Sequence, residues 1–252
     1  MAEMKSVHYT DKGKVRQHNE DSVGVFTNKE GDCLAVVADG MGGHRAGDVA
    51  SSMTINKFEE LWESEGKIAT AEQAEKWLQD KIKEINQGVF EHSQANMECE
   101  GMGTTVVAAI CTANFATIVN IGDSRGYILN ESGFSQLTED HSLVNELVRS
   151  GQISKEDAEH HPRKNVLLRA LGTEEKVEMD TKTIIFEEED IIMLCSDGLS
   201  NKVSEEEMES ILSSSQDLDQ AGRKFISLAN ENGGEDNISL AIVKYTPESG
   251  NG

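Results

Sequence analysis

Leu34-Ala35-Val36-Val37-Ala38-Asp39-Gly40 is an apolar run that stops on an acid and a glycine. The chain repeats this arrangement far downstream, in Ile191-Ile192-Met193-Leu194-Cys195-Ser196-Asp197-Gly198. Short continuous apolar runs bounded by turn residues read as buried strands. A carboxylate at the end of such a strand is held by rigid backbone. The glycine after it permits a sharp turn and close approach of a ligand to the main chain. Two such ends, distant in sequence, can meet in space and share a hard divalent cation.

Outward from Asp39, the pattern is that of a layered α+β domain. Val7-Tyr9, Val23-Phe26 and Leu34-Ala38 read as strands. Helical spacing follows Gly42-Gly43 and is clearest from Ala71 to Asn96, where Leu78, Ile82, Ile85 and Val89 share a face. Strands return at Thr105-Cys111 and Phe115-Asn120, joined by a hairpin turn at Thr112-Ala113-Asn114. Further strands are predicted at Tyr127-Leu129, Phe134-Leu137, Val177-Phe186, Ile191-Cys195 and Ile238-Tyr245. Helices are predicted at Glu205-Leu212 and Leu218-Ala229. Strands in groups with helix pairs between them favour mostly antiparallel sheets over a βαβ order. A polar segment from Asp140 to Lys164, with one short helix at Leu143-Arg149, reads as an insertion over the body. The expected organisation is one domain over residues 1–246 with a flap of about residues 140–172, and a disordered tail at 247–252.

Composition limits the function. Against 46 acidic residues stand 23 basic ones, a formal charge of -23 over 252 residues. That balance opposes non-specific nucleic-acid binding, which needs Lys and Arg to displace counterions. It also opposes adhesion to anionic lipid. The four cysteines form no Cys-x-x-Cys pair, and three lie in apolar runs, as buried thiols of a reducing compartment would. Met1 to Lys14 lacks the apolar core of a signal peptide. The apolar stretch Val106 to Val119 is broken by Thr112 and Asn114 and falls short of the about 20 residues that span a bilayer. A cytoplasmic, soluble monomer is expected.

The chemistry is carried by acids at turns: Glu20-Asp21, Asp39-Gly40, Gly122-Asp123, Asp197-Gly198 and Glu235-Asp236-Asn237. Any single Asp-Gly is an ordinary turn; several at strand ends form a pattern. Two carboxylates 4 Å apart repel by about 4 kcal/mol at an effective dielectric near 20, so clustering them calls for a cation. Oxygen donors select Mg²⁺ or Mn²⁺ over Zn²⁺. Arg16 adds a guanidinium whose fork suits a phosphate, or alternatively an ion pair with Glu20. The glycines of Gly40-Met41-Gly42-Gly43 lack the spacing of nucleotide loops, and no Gly-x-Ser-x-Gly elbow occurs.

Six motifs then stand in a telling order: Arg16-x-x-Asn19-Glu20-Asp21, Ala38-Asp39-Gly40-Met41-Gly42-Gly43-His44, Gly101-Met102-Gly103-Thr104-Thr105, Gly122-Asp123-Ser124-Arg125, Ser196-Asp197-Gly198-Leu199 and Glu235-Asp236-Asn237-Ile238. In this order the chain, from about Val7 to Tyr245, resembles the metal-dependent PPM (protein phosphatase 2C-like) serine/threonine phosphatases. The similarity is greatest to the compact bacterial branch that reverses eukaryotic-like serine/threonine kinases. The resemblance implies a four-layer αββα sandwich, two central antiparallel sheets flanked by helix pairs.

The resemblance also implies roles. Asp39 bridges two Mn²⁺ or Mg²⁺ ions; Asp197 and Asp236 complete the first site. The Gly40 carbonyl serves the second, with Glu20 and Asp21 holding its waters. Asp123 with Asp197 matches a third-metal site. Arg16 grips the phosphate, and a water bridging the cations attacks phosphorus. Many eukaryotic members carry a histidine directly after the Asp-Gly, where this chain has Met41. His44 is the nearest histidine and the candidate proton donor; a metal-bound water is the alternative, and helix capping is its plain structural role. His161-Pro162-Arg163-Lys164 with Arg169 forms a basic island in an acidic chain, so His161 and Arg163 are candidate substrate contacts. The expected partners are phosphoproteins, including a cognate kinase. Two other readings use the same residues: a catalytically dead metal-binding scaffold, and a different two-metal phosphoesterase such as a nuclease. Acids at every family metal position count against the first; the net charge counts against the second.

Overall fold

The computed structural model describes residues 3–43 and 46–246. His44 and the tail at 247–252 lie outside the described residues. The first three strands are β1 (Glu3–Asp11), β2 (Asp21–Thr27) and β3 (Cys33–Met41), followed by helices α1 (Ala46–Glu63) and α2 (Ala71–Ala95). The two-residue β4 (Gly103–Thr104) precedes β5 (Val106–Cys111), β6 (Phe115–Ile121), β7 (Arg125–Asn130) and β8 (Gly133–Gln136). The flap carries α3 (Leu143–Arg149) and α4 (Lys155–Glu159). The chain closes with β9 (Asp180–Ile185), β10 (Ile191–Cys195), α5 (Asp197–Ser200), α6 (Glu205–Ser214), α7 (Leu218–Glu231) and β11 (Ile238–Thr246).

Two antiparallel sheets form, in the orders β1-β11-β10-β7-β8 and β2-β3-β5-β6-β9, with β4 attached to β3. The alternation of side chains along β3 explains the layers. Leu34, Val36 and Ala38 pack outward with Phe58, Trp62, Leu78 and Ile82 of α1 and α2. Cys33, Ala35 and Val37 point the other way, into a core shared with Ile192, Leu194, Ala241 and Val243 of the second sheet. The outer face of that sheet packs Met193, Leu240 and Ile242 against Met208, Ile211 and Phe225 of α6 and α7. Both faces of the central strands are therefore dry, and their sequences are continuous rather than alternating. The four-layer αββα arrangement expected from the sequence is the one observed.

The differences lie at ends and in short elements. β1 runs over nine residues instead of three because its pairing with β11 continues from Glu3↔Thr246 to Asp11↔Ile238. β9 is shorter than predicted, starting at Asp180. In the flap, α4 is capped by Ser154, whose hydroxyl accepts the Asp157 N–H while the Asp157 side chain reaches back to the cap. Ser154 and Asp157 form a Ser-x-x-Asp capping box. Among the described residues no helix is long and apolar enough to cross a membrane.

Candidate metal centre and phosphate site

Asp39 stands at the end of β3, opposite Asp21 of β2 in the strand register. Its backbone is fixed from the neighbouring strand. The Asp39 N–H donates to Thr105 Oγ1 at 3.0 Å, and its carbonyl accepts from the Thr105 N–H at 2.8 Å and from Thr104 Oγ1 at 2.9 Å. Thr105 Oγ1 in turn lies 2.7 Å from Ser124 Oγ, so the turn carrying Asp123 is tied to the same point. Asp197 opens α5 directly after β10, and Asp236 lies just before β11. Because β10 and β11 are neighbours, their ends deliver both acids to one edge of the sandwich.

The charges are mutually unfavourable in the absence of a cation. Burial raises the Asp39 carboxyl well above the usual carboxylate range, and Asp21, Asp197, Asp123 and Asp236 raise it further. Burial, then Asp236, raises Asp197, against a side-chain hydrogen bond with Asp39 that favours its ionised form. A hydrogen bond between two carboxyls requires a proton on one of them. Asp123 is pushed up to about 7 by burial, Asp197 and Asp140. Asp21 is pushed up to about 7, chiefly by burial. Its Oδ2 accepts from Ser196 Oγ at 2.7 Å, while its buried Oδ1 has no hydrogen-bond partner. Glu20 is also raised, first by burial, against the lowering influence of Arg16.

This donor set fits a hard divalent cation: all-oxygen, crowded, partly orphaned, and pushed toward the protonated form without one. Among the described residues no three His, Cys, Asp or Glu side chains close tightly enough to hold an ion by themselves.

Gly40 has a steric reason beside its predicted carbonyl role. A Cβ there would lie 2.0 Å from the Gly47 carbonyl oxygen and 2.5 Å from that of Glu20. The Gly40 N–H donates to the Glu20 carbonyl at 3.1 Å. The start of α1, β3 and the Glu20 turn thus meet without room for a methyl group. Gly40→Ala is expected to destabilise the protein by about 2–3 kcal/mol, as overpacking against backbone does. Denaturant unfolding of the metal-free protein measures this, and a change under about 0.5 kcal/mol, the ordinary surface range, would contradict the packing.

Arg16 does not stand free. Its Nη2 donates to Asp236 Oδ2 at 2.7 Å. The predicted phosphate grip and one predicted metal ligand therefore neutralise each other in this structure. Asn237 connects them to the rest: its Oδ1 accepts the Glu20 N–H at 2.8 Å, and its Nδ2 donates to the carbonyls of Lys12 and His18. Asn237, Thr105 and Ser196 each lie in one of the six motifs, yet none of them has a predicted role.

A cleft of about 1100 Å³ leads from Asp123 and Asp197 between the flap and the α5–α6 corner. Arg125, Asp140, Lys164 and Lys202 are among the residues lining it. Arg125 forms a two-pronged pair with Asp140, at 3.0 and 2.8 Å. The basic island divides. Lys164 faces the cleft, while His161 and Arg163 stand outside its wall, with the Arg163 N–H donating to His161 Nδ1 at 3.1 Å. Arg169 pairs with Asp180 and Glu178.

The chain as a whole is similar to known proteins. The family model for protein phosphatase 2C matches residues 11–239. The serine/threonine phosphatase stp of Listeria monocytogenes serotype 4b is 53% identical over 235 residues, which cover 93% of this chain and 93% of the relative. The protein phosphatase PhpP of Streptococcus pneumoniae is 37% identical over 239 residues, 95% of this chain and 96% of the relative. Among solved structures, the serine/threonine phosphatase Stp1 from Staphylococcus aureus superposes with a TM-score of 0.90 at 36% identity, covering 96% of this chain and 94% of that one. The catalytic domain of the serine/threonine protein phosphatase PstP, in complex with two manganese ions, has a TM-score of 0.86 at 31% identity, covering 98% of this chain and all of that one. The chain belongs to the protein phosphatase 2C family.

Proposed function

We propose that this chain hydrolyses phosphoserine and phosphothreonine esters of proteins with two Mn²⁺ or Mg²⁺ ions, reversing a eukaryotic-like serine/threonine kinase. The observation that carries the proposal is the meeting of Asp21, Asp39, Asp123, Asp197 and Asp236 at one edge of the sandwich, from strand ends of both sheets, beside Arg16. Asp39 would be shared between the ions; Asp197 and Asp236 would help hold one, and the Gly40 carbonyl, with Glu20 and Asp21, the other. Asp123 with Asp197 would offer a third position. When bound, the ions supply a nucleophilic water at neutral pH and neutralise charge on the phosphoryl oxygens.

The chain's own residues do the rest. Thr105 and Ser124 keep the Asp39 and Asp123 turns in register. Arg16, now paired with Asp236, would be free to meet two phosphate oxygens with its fork were Asp236 engaged as a ligand. His44 is the proposed proton donor to the leaving oxygen, since Met41 cannot titrate. His161 and Arg163, with Lys164, form a positive rim that draws phosphopeptides toward an otherwise acidic surface.

Phosphate release from a phosphothreonine peptide, with Mn²⁺ and with chelator, tests the assignment. Turnover only with the metal is expected; undiminished turnover in chelator would overturn it. Neutralising Arg163 and Lys164 together is expected to lower phosphopeptide kcat/KM about tenfold at low salt, with less effect on an aryl phosphate. Equal effects on both substrates would remove the flap from substrate attraction.

A further inference from the structure

The flap stands on two feet, each set on a turn that shapes the acid cluster. At its C-terminal foot, Leu171 and Thr104 exchange both backbone hydrogen bonds, at 2.9 and 3.0 Å. Gly172 donates its N–H to Asn86 Oδ1 at 2.8 Å. At the N-terminal foot, Asp140 pairs with Arg125, Asn120 Nδ2 donates to the Glu139 carbonyl at 2.9 Å, and the His141 side chain is buried at 8% exposure. The His141 N–H donates to the Gly122 carbonyl at 2.9 Å, and the ring Nδ1 accepts the Gly122 N–H at 3.2 Å. His141 thus engages both backbone groups of Gly122, whose carbonyl also accepts from Asn120 Nδ2 at 3.2 Å. Gly122 has a φ of +102°, a conformation that favours glycine, and it directly precedes Asp123.

The ring is itself oriented. Because Nδ1 accepts, the neutral ring carries its hydrogen on Nε2, which lies 3.1 Å from Asp180 Oδ2. Arg169 Nη1 lies 3.2 Å from the same nitrogen and donates to Asp180 Oδ1 at 2.8 Å. The His141 carbonyl accepts the Leu168 N–H at 2.8 Å, which closes the base of the flap. Residues 141, 168, 169 and 180 therefore form one clasp, and its inner face is the Gly122 peptide.

We propose that His141 is a positioning residue for Asp123: by gripping both backbone groups of Gly122, it sets the direction of the Asp123 carboxylate and couples it to the flap. The proposal rests on the reading of the acid cluster as a cation site. Two substitutions separate the grip from mere fastening of the flap. In His141→Asn, the side-chain oxygen replaces Nδ1 as acceptor for Gly122 and contact with Asp180 is lost. In His141→Gln, the longer amide reaches Asp180 and leaves Gly122 without its acceptor.

Mn²⁺ titration calorimetry and amide exchange of the metal-free protein are the readouts. In His141→Gln, the weakest Mn²⁺ step is expected to lose about tenfold in affinity, the order seen when a supporting hydrogen bond to a ligand is removed. The tighter steps stay unchanged, and exchange at residues 121–124 accelerates while β10 and β11 remain protected. His141→Asn is expected to restore both readouts to within about twofold of wild type. Wild-type binding and exchange in His141→Gln, or an Asn variant as impaired as the Gln variant, would overturn the role of His141. A wild-type protein that binds no Mn²⁺ would instead overturn the cation site, with amide exchange still judging the grip on Gly122.

Discussion

Asp39→Asn is expected to abolish phosphatase turnover and, in chelator, to make the protein harder to unfold. The two effects have one cause. Asp39 is the acid toward which the other four are directed, and its carboxyl is raised by burial and by all of them. As a ligand it is the shared element between two ions. Its replacement by a neutral amide removes several kcal/mol of transition-state charge stabilisation. At about 1.4 kcal/mol per tenfold, that is a loss of about 10³ in kcat. Without metal, the sign reverses. A carboxyl raised in the folded state stabilises the fold fully only below its unfolded value, and that contribution is lost as pH rises through the folded value. At neutral pH the raised Asp39 carboxyl therefore works against folding, and Asn does not. Steady-state kinetics with Mn²⁺ and denaturant midpoints in chelator check the pair. An active Asp39→Asn enzyme, or a variant less stable than wild type in chelator, would contradict the account.

The second large effect is a stability that depends on pH in the metal-free protein and loses that dependence with Mn²⁺. Asp21 and Asp123 are each raised to about 7 from an ordinary value of 3.8. Each contribution to stability is present below about 4 and disappears as the pH climbs through about 7. A single proton taken up on folding changes stability by about 1.4 kcal/mol per pH unit across that window. The metal-free melting temperature should fall from pH 4.5 to pH 7.5, and Asp21→Asn should flatten the fall. Saturating Mn²⁺ supplies the missing charge. At one hundred times Kd, each independent site adds about 2.7 kcal/mol, so two add about 5. Thermal melts across this range, with chelator and with Mn²⁺, decide the matter. A pH-independent chelated melt, or one unmoved by Mn²⁺, would be inconsistent with a preformed carboxylate cluster.

Much of this was legible because the acids stand where secondary structure changes. An apolar run ending in Asp-Gly marks both a buried strand and the point where the chain escapes it, and Asp39 and Asp197 carry that mark. The layered fold followed from the same runs, since strands buried on both faces lose their alternation. The supporting hydrogen bonds were not legible. Thr105, Ser196 and Asn237 are single polar residues in or beside apolar strands, with no period of their own. Their partners Asp39, Asp21 and Glu20 lie 66, 175 and 217 residues away. Only the assembled sheets reveal them. The basic island shows the opposite limit. Lys164 and Arg169 are close in sequence, yet the chain between them turns one to the cleft and the other to Asp180. His141 gave no sequence signal at all, because its importance lies in the Gly122 peptide it holds.

The most direct test of the shared-ligand claim is anomalous diffraction from crystals soaked in Mn²⁺ at neutral pH. The account predicts two manganese peaks, both coordinated by the Asp39 carboxylate, with Asp197 and Asp236 on one of them and Arg16 released from Asp236. Manganese bound away from Asp39, or a single ion with the Arg16–Asp236 pair intact, would contradict it.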